Sequence, residues 1–198
     1  MEMKEMKIKK SLLTILVAAG ILVAGPLQAG GDVDRVPEAR SLVKKYFGNL
    51  KTELVTALKS GGPVEAITVC NSVAPFISES MGKESGWSVE RTSLKLRNPK
   101  NAPDQWETAV LQQFEARKKS GENLAKMEFS EITEKDGTKV FRYMKAIPTA
   151  KKPCLACHGA KVKPAVEASL KELYPEDKAR GYKAGDIRGA FTLTKNIE

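Results

Sequence analysis

Residues 126–147 read KMEFSEITEKDGTKVFRYMKAI, and this stretch decides the fold prediction. Asp136-Gly137 separates two runs, 126–134 and 138–147, that contain several β-branched and aromatic residues. An Asp-Gly pair between two extended runs is a strong signal for a β-hairpin, because both residues tolerate the positive φ of a tight turn. The stretch therefore predicts two paired antiparallel strands.

Helical periodicity lies on both sides of this hairpin. Gly61-Gly62 interrupts a long periodic run, and Pro63 suits the first turn of the next helix. Pro75 is expected to kink or divide that second helix, because proline removes a backbone donor. The predicted helices span 34–60, 63–82, 104–119 and 164–174, and two further strands span 87–96 and 189–195.

This order of elements predicts an α+β fold. We expect a small antiparallel sheet with flanking helices on one side of it, the N-terminal helices among them. Residues 30–198 are predicted to form a single domain, since their length suits one core and they contain no long linker.

The N-terminus has the pattern of a signal peptide. Lys4, Lys7, Lys9 and Lys10 precede a largely apolar run over 12–25, and cleavage is predicted after Ala29. The apolar run is shorter than the roughly 20 residues that a membrane span needs. An uncleaved anchor is the alternative. The prediction is export, with a periplasmic or other extracytoplasmic location for residues 30–198.

The chain is basic, with 33 Lys and Arg against 24 Asp and Glu and a net charge of +9. Such a charge suits an acidic redox or signalling partner, or peripheral contact with an anionic membrane, and it also suits a merely solvated surface. The charges are spread along the chain without interleaved aromatic residues, so we expect no nucleic-acid binding.

Cys154-Leu155-Ala156-Cys157-His158 is a C-x-x-C-H motif. Two thiols at this spacing can each add to one vinyl group of a haem, and the adjacent histidine then binds the iron. The motif predicts one covalent c-type haem with Cys154 and Cys157 as its attachment points and His158 as the proximal ligand.

Three other interpretations of the cysteines were weighed. A thioredoxin-like C-x-x-C follows a strand and opens a helix, whereas Pro153 and Gly159 here indicate a loop. A Cys154–Cys157 disulfide leaves His158 without a role. A Cys3His zinc site that includes Cys70 has the right ligand count, but it lacks the usual spacing between ligand pairs.

The residues alone do not identify the second axial ligand of the iron. His158 is the single histidine, so the candidates are Met81, Met127, Met144, Cys70 or an open position. Cys70 is an odd cysteine on the apolar face of a predicted helix, which also fits a small buried residue. Candidates for distal polar groups, or for partners of haem propionates, are Arg97, Arg142 and Tyr143.

The chain resembles a family of exported bacterial single-haem proteins with a PAS-like fold, which is known from cyanobacteria and also occurs as the sensory domain of larger proteins. The resemblance rests on six stretches of this sequence, AITVCN (66–71), WSVERTSLKLRNP (87–99), NAPD (101–104), YMKAI (143–147), CLACHG (154–159) and GYKAGDIRGA (181–190). It implies one haem c on a PAS-like sheet, with the motif histidine and an upstream cysteine as axial ligands. Those positions are His158 and Cys70 here.

The resemblance identifies a site more closely than an activity. We expect electron transfer or redox sensing, because a cysteine ligand lowers the potential and its loss on reduction would switch the iron. The alternatives are a CO or NO sensor that signals to a partner, and a haem enzyme of the peroxidase or nitrite reductase kind. The enzyme is disfavoured because the chain has no second histidine to act as distal base.

Overall fold

The computed structural model describes residues 35–197, and the predicted signal peptide over residues 1–29 lies outside them. Among the described residues, no helix combines the length and the apolar character needed to cross a membrane. The helices and strands are, in chain order, α1 (Arg35–Ser60), α2 (Gly62–Thr68), a π-helical segment (Val69–Val73), α3 (Ala74–Ser85), β1 (Ser88–Thr92), α4 (Gln105–Lys119), β2 (Glu128–Lys135), β3 (Thr138–Pro148), α5 (Leu155–His158), α6 (Pro164–Leu173) and β4 (Ile187–Ile197).

The strands form one antiparallel sheet in the order β1-β4-β3-β2. The hairpin prediction is confirmed: Asp136 and Gly137 join β2 to β3 with φ values of 52° and 77°, as a tight turn of this type requires. The last strand, β4, inserts between β1 and β3, and Thr92 pairs with Ala190. Residues from distant parts of the chain therefore meet at the end of β1.

The predicted α+β class, a small antiparallel sheet with flanking helices, is confirmed and is consistent with the PAS-like description. On one face of the sheet, Tyr46 of α1 packs edge-on against Phe191 of β4, with ring centroids 5.6 Å apart. Buried Tyr143 of β3 belongs to the same cluster. The N-terminal helices are thus packed on the sheet, as expected.

The expectation of helices on one side alone was wrong, because α4 covers the opposite face. Phe114 of α4 packs with Met127 and Met144 in a second buried cluster. The reason lies in β3, whose alternate residues point to opposite faces. Both sets are apolar, so Tyr143 faces one helical layer and Met144 the other.

The predicted second helix is divided, as expected from Pro75. α2 ends at Thr68, the π-helical segment follows, and α3 begins at Ala74. The backbone N–H of Ala74 donates to the carbonyl of Val69, five residues earlier. Proline at the next position has no N–H, so the regular hydrogen-bond ladder cannot continue through it. A π-bulge of this kind inserts one residue into the turn, and such bulges are frequent at functional sites.

Candidate functional site

The cysteine and histidine motif forms one helical turn. α5 spans Leu155–His158, and the N–H of His158 donates to the carbonyl of Cys154 over 2.9 Å. Residues three and four positions apart share a helix face, so Cys154, Cys157 and His158 lie on the same side. The expected loop is therefore a helical turn, which proline can precede because its carbonyl still accepts from Ala156 at 3.0 Å.

This turn is anchored against the N-terminal helices. Cys157 is partly buried against a cluster formed by Ile67 of α2 and three residues in and after α6, Val166, Leu170 and Tyr174. The turn ends at Gly159, which has an extended backbone. It opens no longer helix of the kind that a thioredoxin-like site requires.

His158 is held as a neutral imidazole with a defined tautomer. Its Nδ1 lies 3.0 Å from the carbonyl oxygen of Ala179 and must donate to it, because a carbonyl has no proton to give. Burial, together with the neighbouring Arg188 and Arg97, lowers the pKa of His158 to about 2. The Nε2 atom is therefore left with its lone pair, which is the form that binds a metal.

A buried ion pair fixes the backbone around His158. Arg97 donates from Nε and Nη2 to both carboxylate oxygens of Asp177, each at 3.1 Å. Its Nη2 also donates to the carbonyls of Cys157 at 2.6 Å and Ala179 at 3.3 Å. Burial alone would raise the pKa of Asp177, but hydrogen bonds from Arg97 and Arg180 outweigh it and the pKa is lowered. This pair joins the motif turn to the carbonyl that orients His158.

His158 borders a cavity of about 470 Å³ between α3, β1 and the start of β4. Ligand cavities in proteins span roughly 300–1,000 Å³, so this one is large enough for a cofactor. Cys70, the odd cysteine of the sequence, borders the same cavity. The structure therefore brings Cys70 and His158 together at one cavity although 87 other residues separate them in the sequence.

Cys70 lies in the π-helical segment, at its second residue. Its thiol is half-buried, as are those of Cys154 and Cys157, and none of the three forms a disulfide. A thiol beside a neutral imidazole gives the cavity one sulfur donor and one nitrogen donor, both of which bind haem iron in proteins.

The cavity wall also carries three arginines, Arg91, Arg97 and Arg188. Arg188 lies beside the histidine, with its Nε 3.2 Å from Nδ1 and 3.4 Å from Nε2 of His158. Burial lowers the pKa of Arg188, and the positive charges of Arg97 and Arg91 lower it further. Sequence reasoning singled out Arg97 but missed Arg91 and Arg188.

The remaining predicted candidates lie away from this cavity. Met81, Met127 and Met144 are buried in the two cores and do not border it. Arg142 pairs with Asp104 at 2.6 Å, and the hydroxyl of Tyr143 donates to Glu128 at 2.7 Å. Arg97 alone of the three distal candidates lines the cavity.

The zinc and disulfide alternatives receive no support from the geometry. Within residues 35–197, no three His, Cys, Asp or Glu side chains are grouped so that they could hold a metal ion between them. The three cysteines are free.

Comparison with known proteins supports the fold and assigns a family. No curated protein matches the chain. A solved structure described as the crystal structure of the cyanobacterial heme-protein Tll0287 matches with a TM-score of 0.64 and 24% sequence identity, covering 84% of this chain and 97% of that one. This likeness shows a shared fold. The family model named Tll0287-like matches residues 18–195, so the chain belongs to the Tll0287-like family.

Proposed function

We propose that this chain carries one haem c, attached covalently through Cys154 and Cys157, and that it transfers electrons or senses redox state. The observation that carries the proposal is the position of His158. The last residue of the C-x-x-C-H turn borders the large cavity, and Cys70 borders it too. The name of the matched fold relative, a heme-protein, supports the same cofactor.

The residues fit a haem. The cavity volume is in the range of cofactor sites. The hydrogen bond from Nδ1 of His158 to Ala179 leaves Nε2 as the ligating nitrogen. The Cys70 thiol supplies a second axial donor, and histidine with cysteine is a donor set that haem iron accepts. Cys154 and Cys157 share the helical face of His158, as attachment of both vinyl groups requires.

The protein side chains set what the cofactor does. Haem iron supplies one-electron redox chemistry, and its axial ligands set the potential. A thiolate from Cys70 donates electron density and stabilises the ferric state, so we expect a low reduction potential. Protonation or loss of Cys70 on reduction would make the potential depend on ligand state, which is the property of a switch. We infer an acidic redox or signalling partner from the net charge, which is +7 for residues 30–198 because four lysines and two glutamates lie in residues 1–29.

The location we propose is extracytoplasmic, on the strength of residues 1–29. An N-terminal basic segment, an apolar run and a small-residue cleavage site favour export. Thiols in an exported protein are normally oxidised to disulfides or modified. Thioether bonds to haem would explain why Cys154 and Cys157 form no disulfide.

Haem catalysis is not part of the proposal. Peroxidase-type turnover needs a distal acid or base beside an open iron position. The sequence has no second histidine, and Arg142 and Tyr143 are engaged with Asp104 and Glu128 outside the cavity.

Sensing of CO or NO is the second candidate function. Departure of Cys70 from the iron would open a coordination position on the cavity side, where such a gas could bind.

Covalent attachment is the first experiment. The full-length gene is expressed in a bacterium that carries the cytochrome c maturation system, and haem is detected on a denaturing gel and by mass spectrometry. We expect haem to stay attached to the wild-type chain and to Cys70→Ala after denaturation. The double variant Cys154→Ala/Cys157→Ala should release its haem, because it has no thiol left for covalent attachment. Wild-type protein that runs free of haem under these conditions contradicts the proposal.

The second experiment separates the two functions. Protein-film voltammetry measures the potential, and absorption spectra of the reduced protein are recorded with and without CO and NO. A low potential and spectra insensitive to both gases favour electron transfer. A gas-dependent spectral change that persists at low gas concentration favours the sensor.

A further inference from the structure

Arg91 and Arg188 differ from several other arginines of this protein in having no carboxylate partner among the described residues. A carboxylate pairs with each of Arg40, Arg97, Arg117, Arg142 and Arg180. Within residues 35–197, neither Arg91 nor Arg188 forms an ion pair, and both line the cavity. Two unpaired guanidinium groups on one cavity wall are energetically unfavourable unless an anion is bound there.

The environment of Arg188 holds it in place without neutralising it. Its Nη1 donates to the hydroxyl of Ser93 at 3.1 Å, and Ser93 in turn donates to the carbonyl of Arg188 at 2.8 Å. Its other polar neighbours are the carbonyl oxygen of Lys95, 3.5 Å from Nη1, and the imidazole of His158, and neither is a carboxylate. These contacts fix the orientation of the guanidinium and leave its charge unpaired.

Arg91 has an unsatisfied buried atom. Its Nε is shielded from solvent and has no hydrogen-bond partner. Its guanidinium lies over the ring of Tyr46, with the central carbon 5.7 Å from the ring centroid. A buried donor without a partner is uncommon in folded proteins, and an absent ligand is one of its ordinary explanations.

The cavity's own carboxylates have other partners. Glu79 forms a salt bridge with Lys83 at 2.6 Å, and Glu90 accepts from the hydroxyl of Ser88 at 3.1 Å. Within residues 35–197 no carboxylate pairs with Arg91 or Arg188, so a carboxylate that enters the cavity could take this position. Carboxylates suit guanidinium groups, which bind them through paired N–H donors.

We propose that Arg91 and Arg188 form a carboxylate-binding site on the cavity wall, and that it holds the propionate carboxylates of the haem. The inference rests on the proposed function, because it concerns the same cavity. A free carboxylate ligand shares this chemistry and is the other source that the experiment distinguishes.

The experiment compares haem with a haem that lacks free carboxylates. The parent is the full chain with Cys154→Ala and Cys157→Ala, so that the cofactor binds reversibly. It is loaded with haem or with haem dimethyl ester, and the rate of cofactor loss to an excess of a scavenging apoprotein is measured. Arg91→Gln and Arg188→Gln are each introduced, and Arg117→Gln, whose ion pair with Glu122 lies outside the cavity, is the matched control.

We expect Arg91→Gln and Arg188→Gln to accelerate the loss of haem roughly tenfold or more, which corresponds to removal of a hydrogen bond to a charged group. The loss of the dimethyl ester should change less than about twofold. Arg117→Gln should leave both rates unaltered, since Arg117 does not line the cavity. Equal acceleration for haem and ester, or no acceleration for either, overturns the proposal. If a variant loads neither cofactor while Arg117→Gln loads both, the role of that arginine is structural and the proposal also fails.

A calorimetric titration of the haem-loaded parent with succinate distinguishes the two sources. Absence of succinate binding supports the propionates as occupants. Succinate binding that Arg91→Gln abolishes, with haem and ester lost at equal rates, overturns the assignment to the propionates and assigns the two arginines to a free carboxylate ligand. The two proposals fail in different experiments. The absence of covalent haem on the wild-type chain contradicts the proposed function, whereas equal loss rates for haem and its ester contradict the propionate site.

Discussion

The imidazole of His158 donates its Nδ1 proton to the carbonyl of Ala179 over 3.0 Å. The same carbonyl accepts a longer hydrogen bond, 3.3 Å, from Arg97. Two donors that share one acceptor each receive less of its electron density. The side chain that fixes the backbone around the motif turn therefore also limits how strongly Ala179 polarises the imidazole of His158, and Arg97 is a positioning residue for His158.

Loss of Arg97 should affect stability and potential together. In Arg97→Gln the carboxylate of Asp177 remains buried without its main partner, and we expect a loss of about 3–5 kcal/mol of unfolding free energy in urea titrations. The potential should fall, because a cation near the iron is removed and the hydrogen bond from His158 to Ala179 strengthens. Arg97→Lys, which keeps the charge, should recover most of the potential but less of the stability.

The control for Arg97 is the half-buried pair between Arg117 and Glu122, which does not line the cavity. Arg117→Gln should cost less stability than Arg97→Gln, because this pair is more exposed to solvent, and should leave the potential unchanged. A potential that is unaltered in Arg97→Gln would show that the shared carbonyl has no electronic effect on His158.

Replacement of Cys70 tests the second axial ligand. We expect Cys70→Ala to lose a thiolate-type low-spin EPR signal and to show a higher reduction potential, because an electron-donating sulfur has been removed. Met81→Leu is the matched control, since Met81 is buried in the sheet core away from the cavity and the change conserves volume. An EPR spectrum of Cys70→Ala identical to that of the wild type assigns the ligand to another group.

The local features of this protein could be predicted from sequence. The Asp136-Gly137 turn and the division of the helix at Pro75 each depend on residues that are neighbours in the chain, whereas the motif from Cys154 to His158 was expected to be a loop and forms a helical turn. Backbone constraints on proline, and the positive φ of a tight turn, act within a few residues. These predictions needed no knowledge of the tertiary structure.

The features that sequence reasoning missed depend on distant pairing. Arg91 and Arg188 meet because β4 inserts beside β1, and Ala179 reaches His158 through a loop fixed by the Arg97–Asp177 pair. Tyr143 was considered as a distal group of the haem. Strand alternation shows that Tyr143 and Met144 lie on opposite faces of the sheet, but it does not show which face borders the cavity. The order of the strands in the sheet decides which face does.

Gly189 should be intolerant of any side chain. A Cβ atom at this position would lie 2.3 Å from the carbonyl oxygen of Thr92 and 3.0 Å from Cβ of Ser93, so β1 and β4 would have to separate at the cavity. We expect Gly189→Ala to cost at least about 1–3 kcal/mol of unfolding free energy and to reduce the fraction of chain that retains haem. Thermal unfolding and the ratio of haem to protein absorbance measure both effects.

Gly48 is the matched control for Gly189. It lies on the exposed side of α1, and a Cβ there would meet nothing within 4 Å. Gly48→Ala should raise stability by about 0.5–1 kcal/mol, because alanine favours helix and glycine does not. If both substitutions have the same effect, the close approach of β1 and β4 is not what requires Gly189.

The pH dependence of stability should reveal the contact between Tyr143 and Glu128. Burial alone would raise the pKa of Glu128, but hydrogen bonds from Arg40 and Tyr143 outweigh it, so the pKa lies below its ordinary value of 4.5. A carboxyl whose pKa is lowered by folding stabilises the native state above that ordinary value. Its contribution disappears as the pH falls through the lower, folded pKa.

Tyr143→Phe should therefore cost about 1–3 kcal/mol near neutral pH, because it removes a hydrogen bond to a charged group. The pKa of Glu128 should rise in this variant, since one of the groups that lower it is gone. We expect the stability difference from the wild type to shrink as the pH falls below 4.5, measured by urea unfolding across that range. Ser78→Ala is the control, because it removes a hydrogen bond to the hydroxyl of Tyr46 that involves no carboxylate, and its effect should not vary with pH. A difference for Tyr143→Phe that stays constant through acid would mean that the hydroxyl stabilises the fold without acting through the charge of Glu128.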